Sequence, residues 1–215
     1  MNKVDPELLN YCQNITKTQG ESAEHIINYV LPEKIKKLST LSQELLHASV
    51  LDSSEIKINV YDNVIECNPT IMTFLPVIKN ELYDFLDMCI TLKFWIQLNV
   101  PKMEEGNNFG VEVQGDMLEM LDEGRSSTST LLESLSSYFA DRGETIQDIL
   151  KTPYIIDIDM SCSYLDQRAA LSLRHGIMDL RNSYCVLYDK LTKNFEKIKQ
   201  PKGSHQEHDH FEILY

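Results

Sequence analysis

The sequence predicts an all-α protein folded as an up-and-down four-helix bundle. Three long stretches carry apolar residues at alternating steps of three and four, the spacing that places them on one face of a helix, and a weaker stretch precedes them. Only IKINVYDNVI, residues 56–65, alternates as a β-strand does. Because no second strand is available to pair with it, we interpret residues 48–65 as an extended linker between the first two helices.

The first helix has the weakest pattern. Its apolar positions surround Pro32, which is expected to kink the helix because a proline removes a backbone donor. Ser22 is a suitable residue to cap the N-terminus. This start divides the chain into an N-terminal segment, residues 1–21, and a four-helix bundle, residues 22–200.

The second helix has clear signals at both ends. Asn68 or Thr70 can cap it, Pro69 suits its first turn, and Pro101 marks its far end. Pro76 lies inside the pattern and should bend the helix early. The apolar stripe of this helix comprises Ile71, Leu75, Ile78, Leu82, Phe85, Cys89, Leu92 and Ile96.

The third and fourth helices continue the same spacing. The third stripe comprises Val113, Met117, Leu121, Gly124, Thr128, Leu131, Leu135 and Tyr138. The fourth comprises Leu173, Ile177, Leu180, Tyr184, Leu187, Leu191, Asn194 and Ile198. Glycines such as Gly124 lower the helix propensity of the third stretch, so tertiary packing must stabilise it. Pro153 and Pro201 mark the two ends, and the joints between helices fall near residues 101–110 and 152–160.

Composition argues against two classes of partner. The formal net charge is -13, and an acidic surface repels the phosphate backbone of nucleic acids. No stretch approaches the roughly 18 consecutive apolar residues that a membrane-spanning helix needs. Neither nucleic acid nor a membrane is therefore an expected partner.

The cysteines indicate a reducing compartment. They are scattered, odd in number and form no CxxC pair: Cys12, Cys67, Cys89, Cys162 and Cys185. The first residues, MNKVDPELLNYC, lack the apolar core of a signal peptide. We therefore expect a cytoplasmic protein, with the nucleus also open, whose thiols are buried rather than paired. Cys89 and Cys185 lie on or beside an apolar stripe and are expected in the core.

Motifs for catalysis are missing from the sequence. It contains no GxxxxGK[ST] phosphate-binding loop and no HExxH zinc motif. Adjacent acidic residues, Glu104 and Glu105, are expected to face water rather than to form a catalytic pair. The sequence therefore predicts no catalytic residues, no cofactor and no metal site. One alternative is an enzyme with zinc in the acidic, histidine-rich stretch of residues 205–210, although ordering such a tail would weaken binding.

Two segments favour contact with a partner, although an ordinary structured turn and a frayed chain end are the alternatives. The connection at residues 101–110 contains two glycines and two asparagines, residue types that tolerate sharply turned backbone. Two antiparallel helices would therefore display it as a compact knob at one end of the bundle. The tail, residues 201–215, ends in three apolar residues after a polar stretch, and such an end favours insertion into a pocket on a partner.

The same segments resemble the 11S proteasome activators, the REG family. The resemblance is most specific in WIQLNVPKMEEGNNFGVEVQ, residues 95–114, which is similar to the activation-loop signature of that family. Residues 28–46, 66–82, 136–146 and 181–203 resemble the helices of the family. In two respects the chain departs from it: the linker lacks the Lys/Glu-rich insert of several animal members, and the tail is longer than is typical.

The resemblance implies a four-helix protomer that assembles into a heptameric ring, expected to be homomeric, although a mixed ring stays open. Such rings dock on the α-ring of the 20S proteasome through C-terminal tails, and their activation loops open its gate without ATP. The activator itself is not an enzyme; it raises peptide hydrolysis by the proteasome. The alternative is a helical scaffold or adaptor that shares the bundle but opens no gate.

The resemblance also assigns site residues. The activation loop comprises Lys102, Met103, Glu104, Glu105, Gly106, Asn107, Asn108, Phe109 and Gly110. Within it, Asn107 matches the position on which activation most depends. Leu214 and Tyr215 match the docking end of the tail.

Overall fold

The computed structural model describes residues 5–47, 60–61, 64–102 and 108–202, and these residues form four long helical stretches. Their elements, in chain order, are α1 (Pro6–His25), a π-helical turn (Ile26–Val30), α2 (Leu31–His47), β1 (Val60–Tyr61), β2 (Val64–Ile65), α3 (Pro69–Leu98), α4 (Phe109–Lys151) and α5 (Ile156–Lys199). The all-α class and the four-helix bundle are confirmed.

The predicted start of the first helix at Ser22 is wrong. The helix begins at Pro6, where the Asp5 side chain accepts a hydrogen bond from the Glu7 backbone N–H at 3.0 Å. Asp-Pro-Glu is a strong start, because aspartate caps the helix and proline suits its first position. Ser22 instead donates its hydroxyl to the Thr18 carbonyl oxygen at 2.9 Å, as a residue inside a helix does.

Pro32 predicts a kink in the first helix, and the structure has a π-helical turn, Ile26–Val30, just before this proline. Within this turn the Leu31 N–H donates to the carbonyl oxygen of Ile26, five residues earlier. A proline clashes with the carbonyl four residues before it, and a widened turn is one way to relieve that clash. The chain therefore continues from α1 into α2 without leaving helical geometry.

The interpretation of residues 48–65 as a linker without a sheet is also wrong in its last part. β1 and β2 pair antiparallel, with Val60 opposite Ile65 and Tyr61 opposite Val64. The missing partner strand is the second half of the same stretch. Residues 62–63 are Asp-Asn, types that favour short hairpin connections, and this signal was available in the sequence.

The core follows the predicted stripes. Asn68 caps α3 through its side chain, Pro69 is the first helical residue, and Pro76 lies inside the helix as predicted. Most stripe residues of α3, α4 and α5 are buried in one cluster. A methyl group on Gly124 would lie 3.1 Å from the Phe85 ring, so close packing explains a glycine that local propensity disfavours.

A buried polar cluster, the Asp166 cluster, joins three helices at the end of the bundle opposite the 99–108 connection. Asp166 is 4% exposed and accepts hydrogen bonds from Tyr138 Oη at 2.7 Å, Arg142 Nε at 2.9 Å and Asn68 Nδ2 at 3.1 Å. Burial and the bond to Asp166 raise the pKa of Tyr138, which keeps the phenol a donor. Arg142 also donates to the carbonyl oxygen of Glu66, so the cluster fixes the chain where it enters α3.

The cysteines divide into two groups, which corrects part of the sequence prediction. All five are free; Cys89 and Cys162 are buried, whereas Cys12, Cys67 and Cys185 are exposed. The core position predicted for Cys89 is confirmed, and that for Cys185 is wrong.

We expect iodoacetamide to modify the three exposed thiols of the folded protein and to spare Cys89 and Cys162. Burial raises the pKa of Cys89 to about 12, so its reactive thiolate is scarce as well as inaccessible. Mass spectrometry of peptides after labelling at pH 8 would measure this, with denatured protein as the control in which all five react. Modification of Cys89 at the rate of Cys12 in the folded protein would contradict it.

Candidate functional site

The candidate site lies at the end of the bundle where α3 passes into α4 and where α5 ends. We define the loop base as residues 99–102 and 108–114, and the tail root as residues 198–202. Of the predicted activation loop, the structure describes Lys102, Asn108, Phe109 and Gly110. The remaining predicted site residues lie outside the described residues: Met103, Glu104, Glu105, Gly106, Asn107, Leu214 and Tyr215.

The loop base contacts the tail root directly. The Lys202 ammonium donates to the carbonyl oxygen of Lys102 at 3.1 Å. Gly110 is buried, and a methyl group there would lie 2.2 Å from the carbonyl oxygen of Pro201. Gly110 lies inside α4, so it is needed for this close approach of two backbones and not, as the sequence suggested, for a sharp turn.

Gln114 joins the ends of three helices, and sequence reasoning gave it no role. From α4 its Nε2 donates to the carbonyl oxygen of Asn99 at 2.9 Å and to that of Ile198 at 2.7 Å. These carbonyls belong to the ends of α3 and α5, where no further helical N–H can pair with them. Its position was a usable signal, because a polar side chain three residues before Met117 falls on the buried face of the third stripe.

Aromatic side chains stabilise the same end of the bundle. Phe109 is 53% exposed, with the Lys197 ammonium 4.2 Å from its ring centre, a cation–π geometry that holds the ring beside the tail root. Deeper in the bundle, Trp95 of α3 stacks on Phe195 of α5 with ring centres 5.6 Å apart. These contacts give the last turns of α3 and α5 a fixed relative position.

An exposed ion pair connects the first helical stretch to this end. Lys199 in the last turn of α5 lies 2.9 Å from Glu24 of α1, and this hydrogen bond raises the pKa of Lys199. All four helical stretches therefore contribute to the platform that carries the loop base and the tail root.

Metal-type clusters and membrane-spanning helices are both absent from the described part of the chain. Among them, no group of three or more His, Cys, Asp or Glu residues is placed to hold a metal ion. None of the helices in the described part of the chain is both long enough and apolar enough to span a membrane. The histidines of residues 205–210 lie outside the described residues.

Comparisons with known proteins agree with the resemblance found in the sequence. Residues 64–208 match the family model "Proteasome activator PA28, C-terminal". The chain is 34% identical over 146 residues to proteasome activator complex subunit 3 from human and from mouse, an alignment that covers 68% of this chain. That alignment spans 58% of the length of those relatives.

Solved structures show the same fold over nearly the whole chain. The 11S subunit PA28 of the Plasmodium falciparum proteasome superposes with a TM-score of 0.83 at 25% identity, covering 94% of this chain and 99% of that one. PA26 from Trypanosome brucei, solved in complex with the yeast 20S proteasome, superposes with a TM-score of 0.79 at 16% identity over 94% and 98% of the two chains. The family model spans more than half of the chain, and the chain therefore belongs to the PA28, or 11S, family of proteasome activators.

Proposed function

We propose that this chain is the subunit of a ring that activates the 20S proteasome without ATP. Its tails dock on the α-ring, its loops open the gate, and peptide hydrolysis by the proteasome rises. The observation that carries the proposal is the junction of loop base and tail root at one end of the bundle. A partner that holds the tail must therefore face the loop.

A ring makes weak individual contacts sufficient. A single short tail contributing about 4 kcal/mol would bind only in the millimolar range. Several tails on one ring act at high effective concentration, so the whole ring binds far more tightly than one tail. The loops need to contribute little to binding, because they act by favouring the open state of the gate over the closed state.

An exposed apolar stripe on α3 supports self-assembly. From here on, the name α3 stripe denotes this exposed set and not the buried stripe of the same helix: Met72, Pro76, Tyr83, Ile90 and Phe94. Since each residue rotates a helix by about 100°, these side chains lie within about 40° of one another along about 33 Å. Four of them are 39–52% exposed in the single chain. A second face of α3, about 130° around the helix from this stripe, fills the core. A helix that is apolar on two faces is typical of one covered on both.

We propose that a second copy of the chain covers the α3 stripe and that seven copies close the ring. A homo-heptamer is the simplest such assembly, and a related chain with a matching face would give a mixed ring. The closed ring places all loops and tails on one side, as simultaneous docking requires.

The decisive test compares two variants at residues assigned by resemblance. We expect the wild-type protein to stimulate hydrolysis of a short fluorogenic peptide by latent 20S proteasome of the same species without ATP. Removal of Tyr215 should abolish binding in a pull-down, because the tail supplies the docking energy. Asn107→Tyr should leave binding unchanged and reduce stimulation to about a tenth or less, because the loop acts on the gate.

Ser137→Tyr, at an exposed position in the second half of α4, is the matched control for the added aromatic ring. Absence of stimulation by a correctly assembled wild-type protein would favour the scaffold alternative. Equal loss of binding in both variants would contradict the division of roles. Peptide hydrolysis without proteasome would show instead that the protein is an enzyme.

A further inference from the structure

We infer that Gln114 is a positioning residue for gate opening. Its side-chain amide fixes the loop base against the tail root, so that docking of the tail determines where the loop meets the gate. The inference rests on the proposed function and assigns a role to a residue outside both the loop and the tail.

The geometry of Gln114 leaves one arrangement of its amide. Both groups at Nε2 are carbonyl oxygens, those of Asn99 and Ile198, and carbonyl oxygens only accept. The NH2 group must therefore face them. The side chain is 0% exposed, so neither bond competes with solvent and each holds its helix end at a defined distance from α4.

Gln114 pairs two helix-end acceptors and, within the part of the chain that the structure describes, leaves one acceptor of its own unpaired. Gln114 Oε1 is buried and has no hydrogen-bond partner among the described residues, and burying an unpaired acceptor is unfavourable. An apolar side chain of the same size would avoid that cost but would leave the carbonyl oxygens of Asn99 and Ile198 without this donor. Gln114 therefore links the ends of α3 and α5 through its NH2 group, while its own Oε1 stays unpaired among these residues.

Two further contacts connect the same parts in other directions. Lys202 donates a hydrogen bond to the carbonyl oxygen of Lys102, on the α3 side of the loop. On the other side of the loop, Gly110 in the first turn of α4 packs against the backbone of Pro201. A displacement of the end of α5 is therefore transmitted to both ends of the loop.

A positioning role predicts that docking and gate opening separate. The tail supplies the docking energy and does not need Gln114, whereas the loop must meet a fixed surface on the partner. Misplacement of a contact group by about 1 Å can lower a rate about a hundredfold. Loss of the Gln114 bonds should therefore lower the maximum stimulation without weakening binding.

The experiment measures peptide hydrolysis by 20S proteasome at increasing activator concentration. Gln114→Met keeps the size of the side chain and removes both donated bonds. We expect its maximum stimulation to fall about tenfold while the half-saturating concentration changes less than about threefold. Tyr138→Phe, which loses one buried hydrogen bond in the Asp166 cluster, is the control for general destabilisation and should retain both values.

Gln114→Glu adds a readout that a merely structural role would not give. In its ionised form the new carboxylate would repel the two carbonyl oxygens, and the maximum stimulation should fall. Burial raises the pKa of a carboxyl group, and the protonated form can donate one hydrogen bond again. Stimulation relative to wild type should therefore recover partly as the pH is lowered toward about 5.5.

Wild-type maximum stimulation by Gln114→Met would overturn the inference, as would a parallel loss of binding and stimulation. If Gln114→Met fails to fold or assemble, Lys202→Met tests the same connection from the exposed side of the tail root. It should lower the maximum with the half-saturating concentration unchanged, and wild-type behaviour would overturn the inference. A wild-type protein that binds 20S without stimulating it would overturn the proposed function itself, and this inference with it.

Discussion

Replacing Ile90 by glutamate is expected to separate the proposed ring into single chains and to abolish the proposed stimulation of the 20S proteasome. Ile90 lies in the α3 stripe and is 52% exposed in the single chain, so the fold does not depend on it. In a ring the glutamate would be buried between copies, and burying an unpaired charge costs several kcal/mol. Tails that are no longer joined lose their high effective concentration, and docking is lost with them.

Analytical ultracentrifugation would measure the assembly, and circular dichroism would verify that the helices persist. Leu150→Glu is the matched control, because Leu150 is 61% exposed near the end of α4 and lies outside the α3 stripe. It should assemble and activate as the wild type does. An intact ring with Ile90→Glu would contradict the proposed contact, and dissociation by Leu150→Glu would place the contact elsewhere.

The second large effect is expected in the Asp166 cluster, where Asp166→Ala should lower the free energy of unfolding by about 3–5 kcal/mol. The substitution leaves the Arg142 guanidinium, whose side chain is 8% exposed, without its carboxylate. It also removes acceptors from Tyr138 and from Asn68, the cap of α3. Urea unfolding at matched protein concentration would measure the loss, since assembly makes apparent stability depend on concentration.

The double variant Asp166→Ala with Arg142→Met tests the cause. It removes the buried charge that the single variant leaves unpaired, so a substantial part of the stability should return. A loss below about 1 kcal/mol for Asp166→Ala would show that the cluster contributes no more to stability than an exposed ion pair does. No recovery in the double variant would show that the hydrogen bonds of Tyr138 and Asn68 dominate.

The sequence predicts α3, α4 and α5 well because each buries one continuous face, and burial is what the spacing of apolar residues reports. Most of α1 has no such stripe. Ala23 is its only fully buried residue among those described, so periodicity could not reveal it, although Asp5 and Pro6 could. The alternation does not by itself predict the hairpin, because both of its strands lie in the same short stretch.

For the candidate site, the resemblance supplied the loop and the tail, whereas the spatial contacts came from the structure. No local pattern reports that Gly110 approaches Pro201, because the two residues are far apart in the chain. Gln114 could have been suspected from its polar side chain on an apolar face. Its two acceptors, on α3 and α5, could not have been predicted without the packing of all three helices.

The π-helical turn before Pro32 has a consequence for aligning this chain with its relatives. Ala23, Ile27 and Leu31 are all buried in the same core cluster, at 0%, 3% and 0% exposure. Eight residues of regular α-helix rotate by about 800°, which would leave Ala23 and Leu31 about 80° apart. The π-helical turn removes that difference of about 80°, because a π-helix has more residues per turn than an α-helix. A relative with a regular helix here would therefore match both halves of the stretch only if its alignment opens a one-residue gap between residues 26 and 30.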